Sequence, residues 1–83
     1  METRVAVMAI VVEDRDSAME LNNLLHEYGS YILGRMGIPH CQRGIHLISV
    51  AIDAPQPIIA ALSGKIGRLA GVSVKTAYAG SSI

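Results

Sequence analysis

The stretch RVAVMAIVV, residues 4–12, decides the fold. It is short, rich in β-branched residues and followed by charged residues, which is typical of a β-strand. Both alternating sets of side chains are apolar, with Val7 on one face of the strand and Met8 on the other. A strand that is apolar on both faces lies in the middle of a sheet. The stretch IHLISVAID, residues 45–53, has the same character and predicts a second central strand.

Two amphipathic helices and two weaker strands complete the pattern. Residues 14–29 carry apolar side chains at three- and four-residue spacing, and Ser17 followed by Glu20 is a capping-box pattern. Residues 54–71 repeat this spacing and carry prolines in the first turn, where a missing N–H costs nothing. The weaker strands are residues 30–40 and 72–79.

The order of these elements is strand–helix–strand–strand–helix–strand. Right-handed crossovers then favour an α+β, ferredoxin-like βαββαβ fold: a four-stranded antiparallel sheet with two helices on one face. A chain of this length fits a single domain, residues 1–83. Two helices cover only one face of the sheet, so the other apolar face stays exposed. We therefore expect self-association into a homodimer or a homotetramer.

Composition narrows the choice of partners and compartment. Seven basic residues balance seven acidic residues, so no excess positive charge attracts nucleic acid or anionic lipid. The longest apolar run, residues 5–12, is too short to span a bilayer as a helix. Cys41 is the only cysteine, which favours a reducing compartment. We therefore expect a cytoplasmic protein that binds neither nucleic acid nor membrane directly.

The stretch ALSGKIGRLAGVSVKT, residues 61–76, superficially resembles a phosphate-binding loop. Such a loop needs a second upstream glycine and a Ser or Thr after the lysine, between a strand and a helix. Here Gly64 lies inside a predicted helix, where backbone N–H groups are already used. Glycine inside a helix costs roughly 1 kcal/mol against alanine. The sequence favours tight packing at Gly64 and Gly67, with close approach of a ligand or a partner subunit as the alternative.

His40, Cys41 and His46 are the residues that could bind a metal. Their side chains suit nickel, zinc or iron. Adjacent residues of an extended chain point apart, however, and no C-x-x-C spacing is present. The pattern therefore favours an ordinary turn, and we expect no cofactor. A nucleophile elbow or an evident catalytic constellation is also missing, so we expect no catalytic residue and no enzymatic activity.

Arg35 lies on the weaker strand at residues 30–40, which its glycines and proline place at the edge of the sheet. Alternation predicts that Arg35 points away from Ile32 and Met36. A guanidinium in this position could be a solvated surface charge. It could also hold an anion or form a salt bridge between subunits.

Three motifs resemble those of the small proteins described as iron-only hydrogenase system regulators. They are VVEDR at residues 11–15, ILGRMGIP at 32–39 and ALSGKIGRLAGVSVKT at 61–76. The resemblance implies an ACT-like version of the ferredoxin-like fold, related to the effector-binding domain of the nickel-responsive repressor. It also implies an oligomer with a regulatory role. A further implied partner is another regulatory or hydrogenase-maturation protein.

Proteins with this ACT-like fold often bind small ligands near the turn after the first strand, at a subunit boundary. The residues that we expect to contact such a ligand are Asp14, Arg15, Arg35, Gly64 and Gly67. For the turn itself, helix capping is the simpler interpretation. Two other functions stay open: an assembly module that binds protein and no small molecule, and a metal sensor that uses His40, Cys41 and His46.

Overall fold

A computed structural model describes residues 2–40 and 42–80 of the chain. The elements are β1 (Arg4–Val12), a 3-10 turn (Arg15–Ser17), α1 (Ala18–Glu27), a second 3-10 turn (Gly29–Tyr31), β2 (Ile32–His40), β3 (Ile45–Ala54), α2 (Gln56–Gly67) and β4 (Val72–Tyr78). Within the described residues, neither helix is long and apolar enough to cross a membrane.

The four strands form one antiparallel sheet in the order β2-β3-β1-β4. This is the ferredoxin-like arrangement, so the predicted fold class is confirmed. β1 and β3 occupy the two central positions, as their apolar character on both faces predicts. The two strands with weaker patterns, β2 and β4, form the edges.

The covered face of the sheet packs against α1 and α2 and contains the core. In β1 the buried residues are the even-numbered ones, such as Met8 and Ile10. Ile52 from β3, Leu25 from α1 and Leu62 from α2 pack with them. The core contains no Phe and no Trp, because the sequence has neither.

The opposite surface, which we call the open face, carries no helix formed by the described residues. The register of the strands places on it Val5, Val7, Ala9 and Val11 of β1, Gly34, Met36 and Ile38 of β2, Leu47, Ser49, Ala51 and Asp53 of β3, and Ser73, Lys75 and Ala77 of β4. Several of its large apolar side chains are 41–67% exposed. The predicted uncovered apolar face is therefore present.

A β-bulge interrupts β2 at its start. Ile32 pairs with Ile52 of β3, but the next residue in register is Gly34, which pairs with Ala51. Leu33 is the extra residue, and an extra residue reverses the alternation of the residues that follow it. The prediction that Arg35 and Ile32 point in opposite directions is therefore wrong. Arg35 lies on the covered side together with Ile32.

The turn after β1 is held against the loop before β4. The backbone N–H of Glu13 donates to the Gly71 carbonyl at 2.7 Å. The Asp14 carboxylate accepts from the Asp16 N–H at 2.9 Å, and the buried Ser17 hydroxyl donates to the Ala70 carbonyl at 2.6 Å. Ser17 forms no side-chain cap on α1, so the predicted capping box is wrong. Its hydroxyl binds the neighbouring loop instead.

The glycines of α2 do not serve packing within the protomer. A Cβ atom built on Gly64 would meet nothing within 4 Å, and one on Gly67 would make only an ordinary contact at 3.7 Å with Val74. The prediction of tight packing at these glycines is therefore wrong. α2 ends at Gly67, four residues before the Gly71 that the pattern indicates as its end.

Candidate functional site

The candidate site is a cleft between α1 and the edge strand β2. Its cavity volume is about 220 Å³. The residues that line it are Val12, Ala18, Leu21, Asn22, Arg35, Gly37, Ile38, Pro39, His46 and Ile48. Most of these side chains are apolar, and three are polar groups that can form hydrogen bonds. A small concave site of this composition is typical of ligand binding.

The bulge at Leu33 brings Arg35 into the cleft. After the bulge, Arg35 pairs with Val50, whose side chain is fully buried under the helices. The Arg35 guanidinium then reaches α1, where its Nη2 donates to the Asn22 side-chain oxygen at 3.0 Å. Asn22 thereby holds the orientation of an otherwise exposed cation at the cleft.

His46 adds a second polar group to the cleft. It lies near the start of β3, where it pairs with Val12 of β1 on one side and Pro39 of β2 on the other, and it is half-buried. Leu21 of α1 supplies part of the apolar wall. A guanidinium and an imidazole beside apolar side chains can bind an anionic group and shelter a short apolar portion of the same molecule.

The structure separates the five residues predicted to contact a ligand. Arg35 lines the cleft. Asp14 and Arg15 lie in the turn between two residues of the cleft lining, Val12 and Ala18. Gly64 and Gly67 are exposed on α2, outside the cleft lining. The fold therefore brings Arg35 close to the turn after β1, but not close to Gly64 and Gly67 of α2.

Sequence reasoning missed the partners of Arg35. The sequence does not single out Asn22, because its hydrogen bond to Arg35 depends on the reversed alternation of β2. His46 was considered only as a metal ligand. The sequence contains one signal of the bulge. Gly34 directly follows the extra residue Leu33, and a glycine within a strand often marks such an irregularity.

The three residues considered for metal binding are described only in part. Cys41 and the His40 side chain lie outside the described residues. His46 lies in the cleft lining. Among the described residues, the structure contains no group of three or more His, Cys, Asp or Glu side chains that could hold a metal ion.

A second, wider depression of about 340 Å³ lies between α1 and α2. Its carboxylates, Glu20 and Glu27, are balanced by the cations Lys65 and Arg68. Lys65 lies 3.9 Å from the Glu27 carboxylate and 5.1 Å from the centre of the Tyr28 ring. The Tyr28 hydroxyl, and to a smaller extent Glu27, raises the pKa of Lys65. Because these charges already neutralise one another, the cleft at Arg35 is the stronger candidate.

Two solved structures of low sequence identity share the fold of this chain. A formyltetrahydrofolate deformylase from Pseudomonas putida KT2440 is 14% identical, with a TM-score of 0.63 over 88% of this chain and 28% of the other. An unknown protein from Galdieria sulphuraria is 19% identical, with a TM-score of 0.63 over 95% of this chain and 46% of the other. At these identities the likeness concerns the fold alone.

Two much stronger matches, one to a solved structure and one to a family model, agree on a family. The structure of the uncharacterized protein TM1266 from Thermotoga maritima is 39% identical, with a TM-score of 0.90 over 95% of this chain and 100% of the other. No protein with a curated function matches the sequence. The TM1266-like family model, described as "Iron-only hydrogenase system regulator, putative", matches residues 4–76. The chain therefore belongs to the TM1266-like family of iron-only hydrogenase system regulators.

Proposed function

We propose that the protein is a non-enzymatic, cytoplasmic regulatory module that senses a small anionic ligand in the cleft between α1 and β2. It acts as a homo-oligomer and passes its signal to another regulatory or hydrogenase-maturation protein. The observation that carries the proposal is the Arg35 guanidinium, which Asn22 positions at a mostly apolar cleft. Membership in a family of regulators supports the non-enzymatic role.

The chemistry of the cleft defines the class of ligand. A guanidinium has five N–H donors and binds carboxylates and phosphates through two of them at once. The hydrogen bond to Asn22 uses one donor and leaves this capacity intact. The cavity of about 220 Å³ is smaller than the 300–1,000 Å³ typical of drug-sized ligands. The ligand is therefore a small carboxylate or phosphate with a short apolar portion.

The remaining predicted contacts have subordinate roles in this proposal. Asp14 and Arg15 lie in the turn that joins two parts of the cleft lining, and they contact the outer part of the ligand. Gly64 and Gly67 have no side chains, so a neighbouring molecule can approach the α2 backbone closely at these two positions.

A thermal-shift screen of small carboxylates, phosphates, nucleotides and amino acids tests the proposal. At a free concentration of 100 times its Kd, a ligand stabilises a protein by about 2.7 kcal/mol. In a domain of this size we expect such a ligand to raise the Tm by about 10–20 °C.

The site itself is tested with Arg35→Ala. Because hydrogen bonds to charged groups contribute about 1.5–3 kcal/mol, we expect this substitution to weaken binding by roughly 10- to 100-fold in titration calorimetry. Arg35→Lys keeps the charge but not the paired donors, so it should bind with intermediate affinity. Arg43→Ala removes the same charge from the exposed β2–β3 turn and is the matched control, expected to bind like the wild type.

Two results would argue against the proposal. If Arg35→Ala binds a stabilising compound as tightly as Arg43→Ala does, the ligand lies outside the cleft. If no compound in the screen raises the Tm of a well-folded oligomer, the sensing role is wrong. The protein is then better described as an assembly module that binds another protein and no small molecule.

A further inference from the structure

The open face carries two opposite charges on an otherwise apolar or small-residue surface. At its described positions the charged side chains are Asp53 on β3 and Lys75 on the edge strand β4. Around them the apolar side chains remain well exposed, for example Val7 at 45% and Met36 at 67%. A contiguous apolar area of this kind marks a surface that another molecule covers.

Asp53 is a half-buried carboxylate on the open face. Its Oδ1 atom is buried from solvent and has no hydrogen-bond partner among the described residues. Thr76 Oγ1 is also buried without a hydrogen-bond partner in the part of the chain that the structure describes. It lies on the covered side of the sheet, where β4 faces the helices. A carboxylate oxygen that loses water without gaining a donor is unfavourable. A cation from outside the protomer would therefore offset the charge of this half-buried carboxylate rather than bond to Oδ1 itself.

The register fixes how the two charges are related. Asp53 pairs with Val5 of β1, and Lys75 pairs with Ala9 of β1 from the other side. Val7 lies on β1, two residues from Val5 and two residues from Ala9. It therefore marks the midpoint between the two charges. A two-fold axis that runs parallel to the sheets and passes over Val7 places each charge of one copy opposite the other charge of the second copy.

We propose that the open face is covered by a second copy of this chain, with Asp53 of each copy paired to Lys75 of the other. This inference deepens the self-association in the proposed function and rests on it. Strands about 4.8 Å apart with a rise of about 3.3 Å per residue give a face of about 500 Å² per copy. Complete overlap of the two faces would bury about 1,000 Å² for the pair, which is the lower limit for a specific interface.

The same geometry sets the orientation of the two sheets. With strands about 4.8 Å apart and a rise of about 3.3 Å per residue, the two charges lie about 10 Å apart across the strands and about 13 Å apart along them. The two-fold axis is perpendicular to the line that joins them, so the strands of the two copies cross at about 70°. This is closer to orthogonal packing of sheets than to aligned packing.

Charge reversal followed by mixing tests the proposal. In Asp53→Lys both interfacial pairs become Lys–Lys, and in Lys75→Asp both become Asp–Asp. We expect the sedimenting mass of each variant to be half that of the wild type, with the dissociation constant raised at least about 100-fold. In an equimolar mixture of the two variants, both pairs of the mixed dimer are Lys–Asp again. The mixture should therefore recover the wild-type mass, and native mass spectrometry should show one copy of each variant.

Two control variants and three contrary outcomes distinguish the pairing of Asp53 with Lys75 from self-association in general. Glu20→Lys and Lys65→Asp make the same charge changes on the helix side and should keep the wild-type mass. If the wild type associates but Asp53→Lys and Lys75→Asp do so equally well, the open-face pairing is wrong, while self-association stands. A wild type that stays monomeric at millimolar concentration overturns both. Variants that lose mass but do not recover it on mixing also overturn the pairing.

Discussion

Replacing Gly71 by alanine is expected to lower the free energy of unfolding by about 3 kcal/mol. Gly71 has a φ of 67°, in the left-handed region, where a residue with a side chain costs about 1–2 kcal/mol. A Cβ atom there would also lie 2.6 Å from the Cβ and 2.9 Å from the backbone nitrogen of Asp14. Backbone cannot swing aside as a flexible side chain can, so the close contact adds a further 1–3 kcal/mol or so.

Gly44 provides a matched control for this substitution. It has the same φ of 67°, but a Cβ atom built on it would meet nothing within 4 Å. Gly44→Ala should therefore show the backbone effect alone, about 1–2 kcal/mol. Urea denaturation at one fixed protein concentration measures both variants. Equal midpoints for Gly71→Ala and Gly44→Ala would mean that the contact between the β1 turn and the loop before β4 contributes nothing.

Replacing Leu25 by alanine is expected to destabilise the protein by about 2–5 kcal/mol. Leu25 is 2% exposed and lies in α1, in contact with the core beneath the sheet. Its truncation removes buried apolar contacts and leaves a cavity that the surrounding side chains fill only partly. Because domains of this kind have a total stability of about 5–15 kcal/mol, the loss is a large share of it.

Met19→Ala is the control in the same helix. Met19 is 74% exposed, so its truncation removes little buried surface. Alanine is the best helix former, and the effect on the helix itself is small in both variants. We expect the urea midpoint of Met19→Ala to stay close to that of the wild type. A midpoint for Leu25→Ala within error of Met19→Ala would show that α1 does not pack on the sheet as described.

The fold was predictable because its strongest signals are local and agree with one another. The apolar character of β1 and β3 on both faces requires central positions, and the sheet order places them there. The spacing of apolar residues in α1 and α2 predicts which sides of the helices are buried. These patterns depend only on which residues avoid water, so a single sequence is sufficient to read them.

The candidate site was predictable only in part, because it depends on one irregularity. Simple alternation from Ile32 places Arg35 on the open face, but the extra residue Leu33 reverses the pattern. A bulge is set by the pairing of two strands, and Gly34 marks only a position where one can form. The hydrogen bond from Arg35 to Asn22 follows from the bulge and was therefore missed as well.

The polar contacts of the turn after β1 could also not be predicted from local sequence patterns. Ser17 and Glu20 have the spacing of a capping box, but the Ser17 hydroxyl donates to Ala70, which is 53 residues away. The local pattern predicts that Gly71 ends a helix, whereas its left-handed conformation allows this approach of the loop. In each case a contact distant in sequence replaced the local one, and tertiary packing decided the outcome.

The bulged strand β2 also links the two surfaces of the protein. Ile38 lines the cleft and a depression on the open face at once. A ligand in the cleft and a second copy on the open face would therefore touch the same residue from opposite sides. Thermodynamic reciprocity then requires that a ligand that tightens association by some factor is itself bound more tightly, by the same factor, in the assembled form. Ligand affinity would consequently vary with the concentration of the protein, so the abundance of the regulator would set the threshold at which it responds.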